Sequence, residues 1–306
     1  MKKTVILIIC NLLTIVIIAQ SNIRFNNDWN KTYFINPASI NDQYLAEFNM
    51  AIRHQWVGFE GAPKTLFISG ALNLDNLYKT QIGLKVLQDK IGFTSTTDIG
   101  LTYAYSILAE SNWRMNLGLG LNFQSLGYDV SEIFSPTPSD PVVLTRLLRE
   151  NNINADLGFE LTNKIWRLGI SSQNMFSLFS QINKLFINTN YIYAIHRDYD
   201  HGFMNLGYGI CGIQYANLYQ MEFNLTGYFK STAETDPFQL SLTYRTWSEI
   251  GALFGFDLSR NLWLSYSFDY NLSGISRSSF GTHELMLTFR LDKSYKCRNC
   301  WYENNW

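Results

Sequence analysis

Hydrophobic residues in this chain recur at every second position over long stretches. Trp113, Met115, Leu117, Leu119, Leu121 and Phe123 form one face of a segment whose other face is Arg114, Asn116, Gly118, Gly120, Asn122 and Gln124. Helical spacing cannot produce that split, whereas successive side chains of a strand point to opposite sides. Ile99, Leu101, Tyr103, Tyr105 and Ile107 oppose Asp98, Gly100, Thr102, Ala104 and Ser106 in the same way, and the stretches around Phe223 and Leu240 repeat the pattern. Extending the test predicts strands at 44–54, 64–73, 81–89, 97–108, 112–125, 152–162, 164–173, 189–196, 203–215, 218–230, 237–246, 248–258, 261–270 and 282–291. That is about fourteen strands; the stretches near 164 and 189 alternate least, and without them the count is about twelve.

Two solutions fit such a series, a water-soluble sandwich and a closed barrel in lipid. The polar faces are built mainly of Gly, Ser, Thr, Asn and Gln, with isolated charges such as Arg114, Asp156, Glu160, Glu222, Arg245, Asp257 and Asp269, and only 16% of the chain is charged. A sandwich showing those faces to water would carry more charge. Mean hydropathy is -0.09 although 46% of residues are hydrophobic, which is how a membrane barrel hides its apolar band from a window average. The aromatic content of 15% suits the girdles such barrels place at both interfaces. The predicted fold is therefore an all-β, transmembrane, antiparallel up-and-down β-barrel in an outer membrane, with outer-membrane lipid as its surroundings. If the first strand rises from the periplasm, the tight links 110–112, 163–164 and 259–261 become short periplasmic turns. The links 126–151, 174–188 and 271–281 become longer outer loops. The links 196–202 and 216–217 fit that alternation less well.

The chain divides into four parts. Residues 1–19, with Lys2 and Lys3 before an apolar run ending at Ala19, have the layout of a cleaved signal peptide. Cys10 is a poor lipoprotein site, because bulky Ile8 and Ile9 precede it. Residues 20–43 are expected as a periplasmic N-terminal segment, 44–291 as the barrel, and 292–306 as a periplasmic tail. The longest loop holds Pro136, Pro138 and Pro141, then apolar Val142, Val143, Leu144, Leu147 and Leu148. It reads either as a short helix plugging or capping the lumen, or as a surface loop with one helical turn.

A net charge of -1 offers no argument for nucleic acid. His54, His196, His201 and His283 belong to no pattern that assembles a nucleophile, base and orienting carboxylate. His283 and Glu284 are strand neighbours and face apart. No enzymatic activity, cofactor or metal is expected: Cys297 and Cys300 supply two ligands where structural zinc needs four. A disulfide between them is compatible with an oxidising compartment. Cys211 reads as a packing residue.

The most distinctive region of the mature chain precedes and follows the first strand. Asn36-Pro37 predicts a turn before it. Arg53, Gln55, Trp56 and Lys64 are expected to gather at the first outer hairpin, lining the mouth for a partner or stabilising the loop. Here the sequence resembles a known family. Ile-Asn-Pro-Ala at 35–38, Arg-His-Gln-Trp-Val-Gly at 53–58, Ala-Pro-Lys-Thr at 62–65, Asp-Lys-Ile-Gly at 89–92, Tyr-Ala-Tyr at 103–105 and Gly-Thr-His-Glu at 281–284 look like the PorP/SprF family. The cysteine-bearing tail falls outside the resemblance.

The resemblance implies an outer-membrane barrel of the type IX secretion system of Bacteroidota. Some members serve secretion and gliding motility, and others serve large secreted adhesins. It implies action through contacts with other secretion components or an adhesin, and carries Asn36, Pro37, Arg53, Gln55, Trp56, Pro63 and Lys64 over as structural or partner-contact positions. From the residues alone, an outer-membrane channel for small solutes or hydrophobic molecules is the alternative.

Overall fold

The computed structural model describes residues 23–74, 79–108, 112–128, 149–178, 186–198, 203–229 and 237–292. The signal segment, most of the proline-bearing loop with the helix or surface turn expected in it, His201, Cys297 and Cys300 lie outside the described residues.

Fourteen strands follow one another: β1 Ala46–His54, β2 Lys64–Asn73, β3 Thr80–Ile91, β4 Thr94–Leu108, β5 Arg114–Tyr128, β6 Glu150–Thr162, β7 Trp166–Gln173, β8 Thr189–Arg197, β9 Met204–Tyr215, β10 Leu218–Phe229, β11 Phe238–Arg245, β12 Glu249–Ser259, β13 Leu262–Asn271 and β14 Thr282–Leu291. Each pairs antiparallel with its neighbours in sequence, and β1 pairs with β14 from Ala46↔Leu291 to His54↔His283, closing the ring. Closure is what lets this chain live in hydrocarbon, because an open edge there would leave backbone groups unpaired at several kcal/mol each. Among the described residues no helix is long and apolar enough to cross a membrane.

Alternation sorts the two faces as expected. Phe48, Met50 and Ile52 point outward on β1, while Asn49, Ala51 and Arg53 are buried inside. Leu117, Leu119, Leu121 and Phe123 point outward on β5, with Asn116, Asn122 and Gln124 inside. The end at which β1 begins is called the near rim, and the opposite end the far rim.

The longest links, 129–149, 174–188, 272–281 and 55–63, all stand at the far rim, which also carries the tight links 92–93, 216–217 and 246–248. The β3–β4 turn is tighter than the sequence suggests because Gly92, at φ +54, fills the first position of a two-residue hairpin, so that both strands run on through Ile91↔Thr94.

One expectation fails. The segment before β1 does not hang below the barrel in the periplasm: residues 24–29 and 31–40 are buried inside the ring of strands. Its rings need apolar partners, and the lumen provides them at the few inward positions that break the polar pattern. Phe25, Trp29, Tyr33, Phe34 and Ile35 pack with Ala51, Phe67, Tyr191, Tyr193, Cys211, Ile213, Trp263 and Met286. The Phe25, Phe34 and Phe67 rings lie 4.5–5.9 Å apart. The barrel thus has a hydrophobic core where an open pore would hold water.

Candidate functional site

The occupied lumen is the most built-up site in the molecule. The segment starts towards the far rim at Arg24 and descends through the 3₁₀ turn Asn26–Trp29. At the near rim Lys31 meets Glu47 at 2.6 Å. It then turns back through a second 3₁₀ turn, Thr32–Phe34, placing the Tyr33 hydroxyl 2.7 Å from Thr102 in the middle of β4. After Asn36 it runs to the near rim again, where the Asn41 N–H donates to the Gln81 side-chain oxygen (3.0 Å) and Asp42 meets Arg114 (3.2 Å).

A charged cluster fixes the first limb. Arg24 reaches Glu222 at 2.5 and 3.1 Å and Asp28 at 2.7 Å. Arg245 donates to Glu222 (3.0 Å), to Glu249, and to the Asn26 side-chain oxygen (2.8 Å). Arg53 meets Asp269 at 2.8 Å, Glu284 at 3.2 Å and Glu249 at 3.3 Å. Glu284 in turn accepts the Asn26 backbone N–H at 2.9 Å and the Asn27 amide at 2.8 Å. Charges this deep are tolerable because each carboxylate finds a guanidinium or an amide. Within the luminal segment, burial lifts the Asp28 carboxyl to about 7 against the pull of Arg24. Burial likewise lowers the Lys31 ammonium to about 8 against the pull of Glu47.

A polar cluster fixes the second limb. Asn36, fully buried, uses its side-chain amide on both the Phe159 carbonyl (3.1 Å) and the Tyr193 hydroxyl (3.0 Å), while its side-chain oxygen accepts the Ala38 N–H at 2.9 Å. Tyr193 donates onward to Glu160 at 2.5 Å. Arg167 donates to Thr32 (2.6 Å) and Ser39 (2.9 Å). Pro37 and Ala38 lie flat on the wall because Gly118 and Gly158, directly paired across β5 and β6, present no side chain there. A Cβ on Gly118 would sit 2.2 Å from the Ala38 nitrogen, and one on Gly158 would sit 2.0 Å from the Asn36 side-chain oxygen.

Tyr193→Phe tests this cluster. It removes the donor to Glu160 and the acceptor for Asn36 together, so a loss of about 1–3 kcal/mol is expected, read from urea unfolding of the refolded barrel.

The positions singled out in the sequence divide. Asn36 and Pro37 form the expected turn before β1, the Ser39 N–H donating to the Asn36 carbonyl at 3.1 Å, but the turn lies deep in the lumen. Arg53 is inside as well, so it lines no mouth for a partner; adjacent strand residues face apart, and His54 and its register partner Lys64 point outward. Gln55 starts the hairpin, its N–H donating to the Pro63 carbonyl at 2.9 Å. Trp56, at φ +52, donates its N–H to Thr282 and its indole N–H to Asn271, both at 3.3 Å, which ties the hairpin to β13 and β14. Pro63 is buried. His283 faces outward and Glu284 inward, separated as their adjacency requires. Sequence reasoning missed Arg24, Asn26, Asn27, Tyr193 and the Gly118–Gly158 pair. The signal was present in the aromatic residues clustered between Phe25 and Phe34, with no strand alternation to account for them.

A match to the family described as type IX secretion system membrane protein PorP/SprF runs over residues 17–289. The chain belongs to the PorP/SprF family. The family motifs now have places: Asn36 and Pro37 of the PorP/SprF segment sit against Gly118 and Gly158, and Arg53 and Glu284 flank the β1–β14 closure. No curated protein sequence matches the chain.

Among solved structures, the Ralstonia pickettii toluene transporter TbuX is similar at 9% identity and TM-score 0.51, covering 85% of this chain and 93% of that one. The Pseudomonas putida toluene transporter TodX is similar at 9% identity and TM-score 0.50, covering 88% and 94%. These likenesses show the barrel fold alone. A membrane barrel of the PorP/SprF family with outer-membrane barrels as structural neighbours is a protein of the outer membrane.

Proposed function

We propose that this PorP/SprF barrel is a closed accessory of the type IX secretion machinery, assisting the export, surface delivery or retention of a secreted adhesin-like protein through protein contacts and not through catalysis. The observation that carries this reading is the filled lumen. A barrel whose interior is bridged by Arg24–Glu222, Asn26–Glu284 and Asn36–Tyr193 has little room to conduct, and its outer surface and far-rim loops remain for partners. Such contacts with other secretion components would serve gliding motility in a motile host.

Deleting the gene is expected to leave secreted surface proteins undisplayed, with the purified barrel almost silent in a planar bilayer. Normal display in the deletion strain would sink the proposal. The second reading, a channel for small solutes or hydrophobic molecules, draws on the toluene transporters among the structural neighbours. It requires the luminal segment to move, and predicts faster entry of a monoaromatic probe into liposomes that contain the barrel.

A further inference from the structure

The outward face of the far rim carries a row of bases. In register across β14, β1, β2 and β3, His283 stands opposite His54, His54 opposite Lys64, and Lys64 opposite Lys90. All four occupy outward positions, in phase with the exposed Leu285, Ile52, Ile68 and Leu84 of the same strands. The chain neighbours of opposite charge, Asp89 beside Lys90 and Glu284 beside His283, point into the lumen, where Asp89 accepts from Thr65 at 2.6 Å and Glu284 from Asn27. The hairpin itself contributes one exposed carboxylate, Glu60.

Lys64, Lys90 and His54 also line a cleft of about 450 Å³ roofed by the β1–β2 hairpin. The roof is held by backbone hydrogen bonds: Gly92 N–H to the Gly61 carbonyl (2.9 Å), Ala62 N–H to the Phe59 carbonyl (3.2 Å), and Phe280 N–H to the Val57 carbonyl (2.7 Å). Directly below the bases the register rows turn apolar, through Ile52, Leu66 and Leu285, then Met50, Ile68 and Leu287. Cations above an acyl-height apolar band match one kind of molecule, an amphiphile with phosphates on its head.

We infer that the cleft under the β1–β2 hairpin, with Lys64, Lys90 and His54, binds the phosphorylated headgroup of a membrane glycolipid whose acyl chains lie against β1 and β2. With β1 rising from the periplasmic side, that lipid belongs to the outer leaflet. The site gives this quarter of the barrel a fixed lipid neighbour, whereas the far-rim exterior near β10–β13 presents aromatic Tyr219, Tyr244, Trp247 and Tyr270.

The test is retention of diphosphoryl lipid A from mixed micelles by the full barrel, compared with the same lipid after dephosphorylation. Each lysine near an anionic surface is worth about fivefold in binding, so K64Q/K90Q should retain the phosphorylated lipid about 30-fold less well. K64R/K90R should keep it, and K164Q, changed at an exposed near-rim turn, should behave as wild type. Heat-modifiable gel mobility reports folding of each variant. Should K64Q/K90Q fail to fold, K64Q alone carries the test with a fivefold loss. Equal retention of phosphorylated and dephosphorylated lipid, or no loss in the folded glutamine variant, overturns the inference. Neither outcome depends on whether the barrel serves export.

Discussion

Gly118→Val and Gly158→Val should each open the lumen. At Gly118 the added carbon would meet the Pro37–Ala38 backbone at 2.2–2.3 Å, which no rotamer change can relieve; at Gly158 it would displace the Asn36 side-chain oxygen, 2.0 Å away, and press on the Ala38 nitrogen at 2.9 Å. Overpacking a well-fitted site costs about 1–3 kcal/mol even where side chains can yield, and here the obstacle is the Pro37–Ala38 backbone. The segment must lift, and in lifting it surrenders the Asn36 bonds to Phe159 and Tyr193. The strands keep their pairing, since both glycines remain free to hydrogen-bond through the backbone. The expected result is a barrel of normal heat-modifiable mobility that now conducts in a planar bilayer. Gly274→Ala, with nothing near its added carbon, should stay as silent as wild type. Glycine variants as closed as the parent would mean that residues 36–38 do not hold the pore shut.

The largest stability loss is expected at Arg53. It is 3% exposed and faces Asp269, Glu284 and Glu249 within 3.3 Å. Arg53→Met keeps much of the volume and removes the charge, leaving carboxylates crowded without their cation. Breaking a buried pair from one side costs about 3–5 kcal/mol, measurable as a lower urea midpoint of the refolded barrel. Lys64→Met, eleven residues along but on the outer surface, should leave the midpoint unchanged. A small effect at Arg53 would show that the luminal charges are solvated and that the network is not a structural one.

Strand number and facing were readable because alternation is a local property: each of Leu117, Gly118 and Leu119 declares its side through its neighbours. The contents of the lumen were not readable in that way. Glu222, Arg245 and Asp269 each look like an isolated charge on a polar face, and only closure of the ring brings them to Arg24 and Asn26, about two hundred residues or more away in sequence. The same holds for Gly118, which in sequence is one of several strand glycines and in space is the floor under Pro37. Arg53 was misplaced for a simpler reason, since a motif read as a block of letters ignores the period of two that sends Arg53 and His54 to opposite sides.

The joint between β1 and β14 unites the first and last strands of the ring, so no ring exists until the final strand is in hand. Arg53 and Glu284 face each other across that joint, and both belong to the network that grips Asn26 and Asn27. Asn26 and Asn27 therefore act as a clasp: their bonds to Glu284 cannot form until the last strand arrives, and contacts so distant in sequence are slow to form. Clasping the first limb and sealing the ring thus draw on the same residues, and a lumen emptied of Asn26 and Asn27 would leave the seam without its clasp.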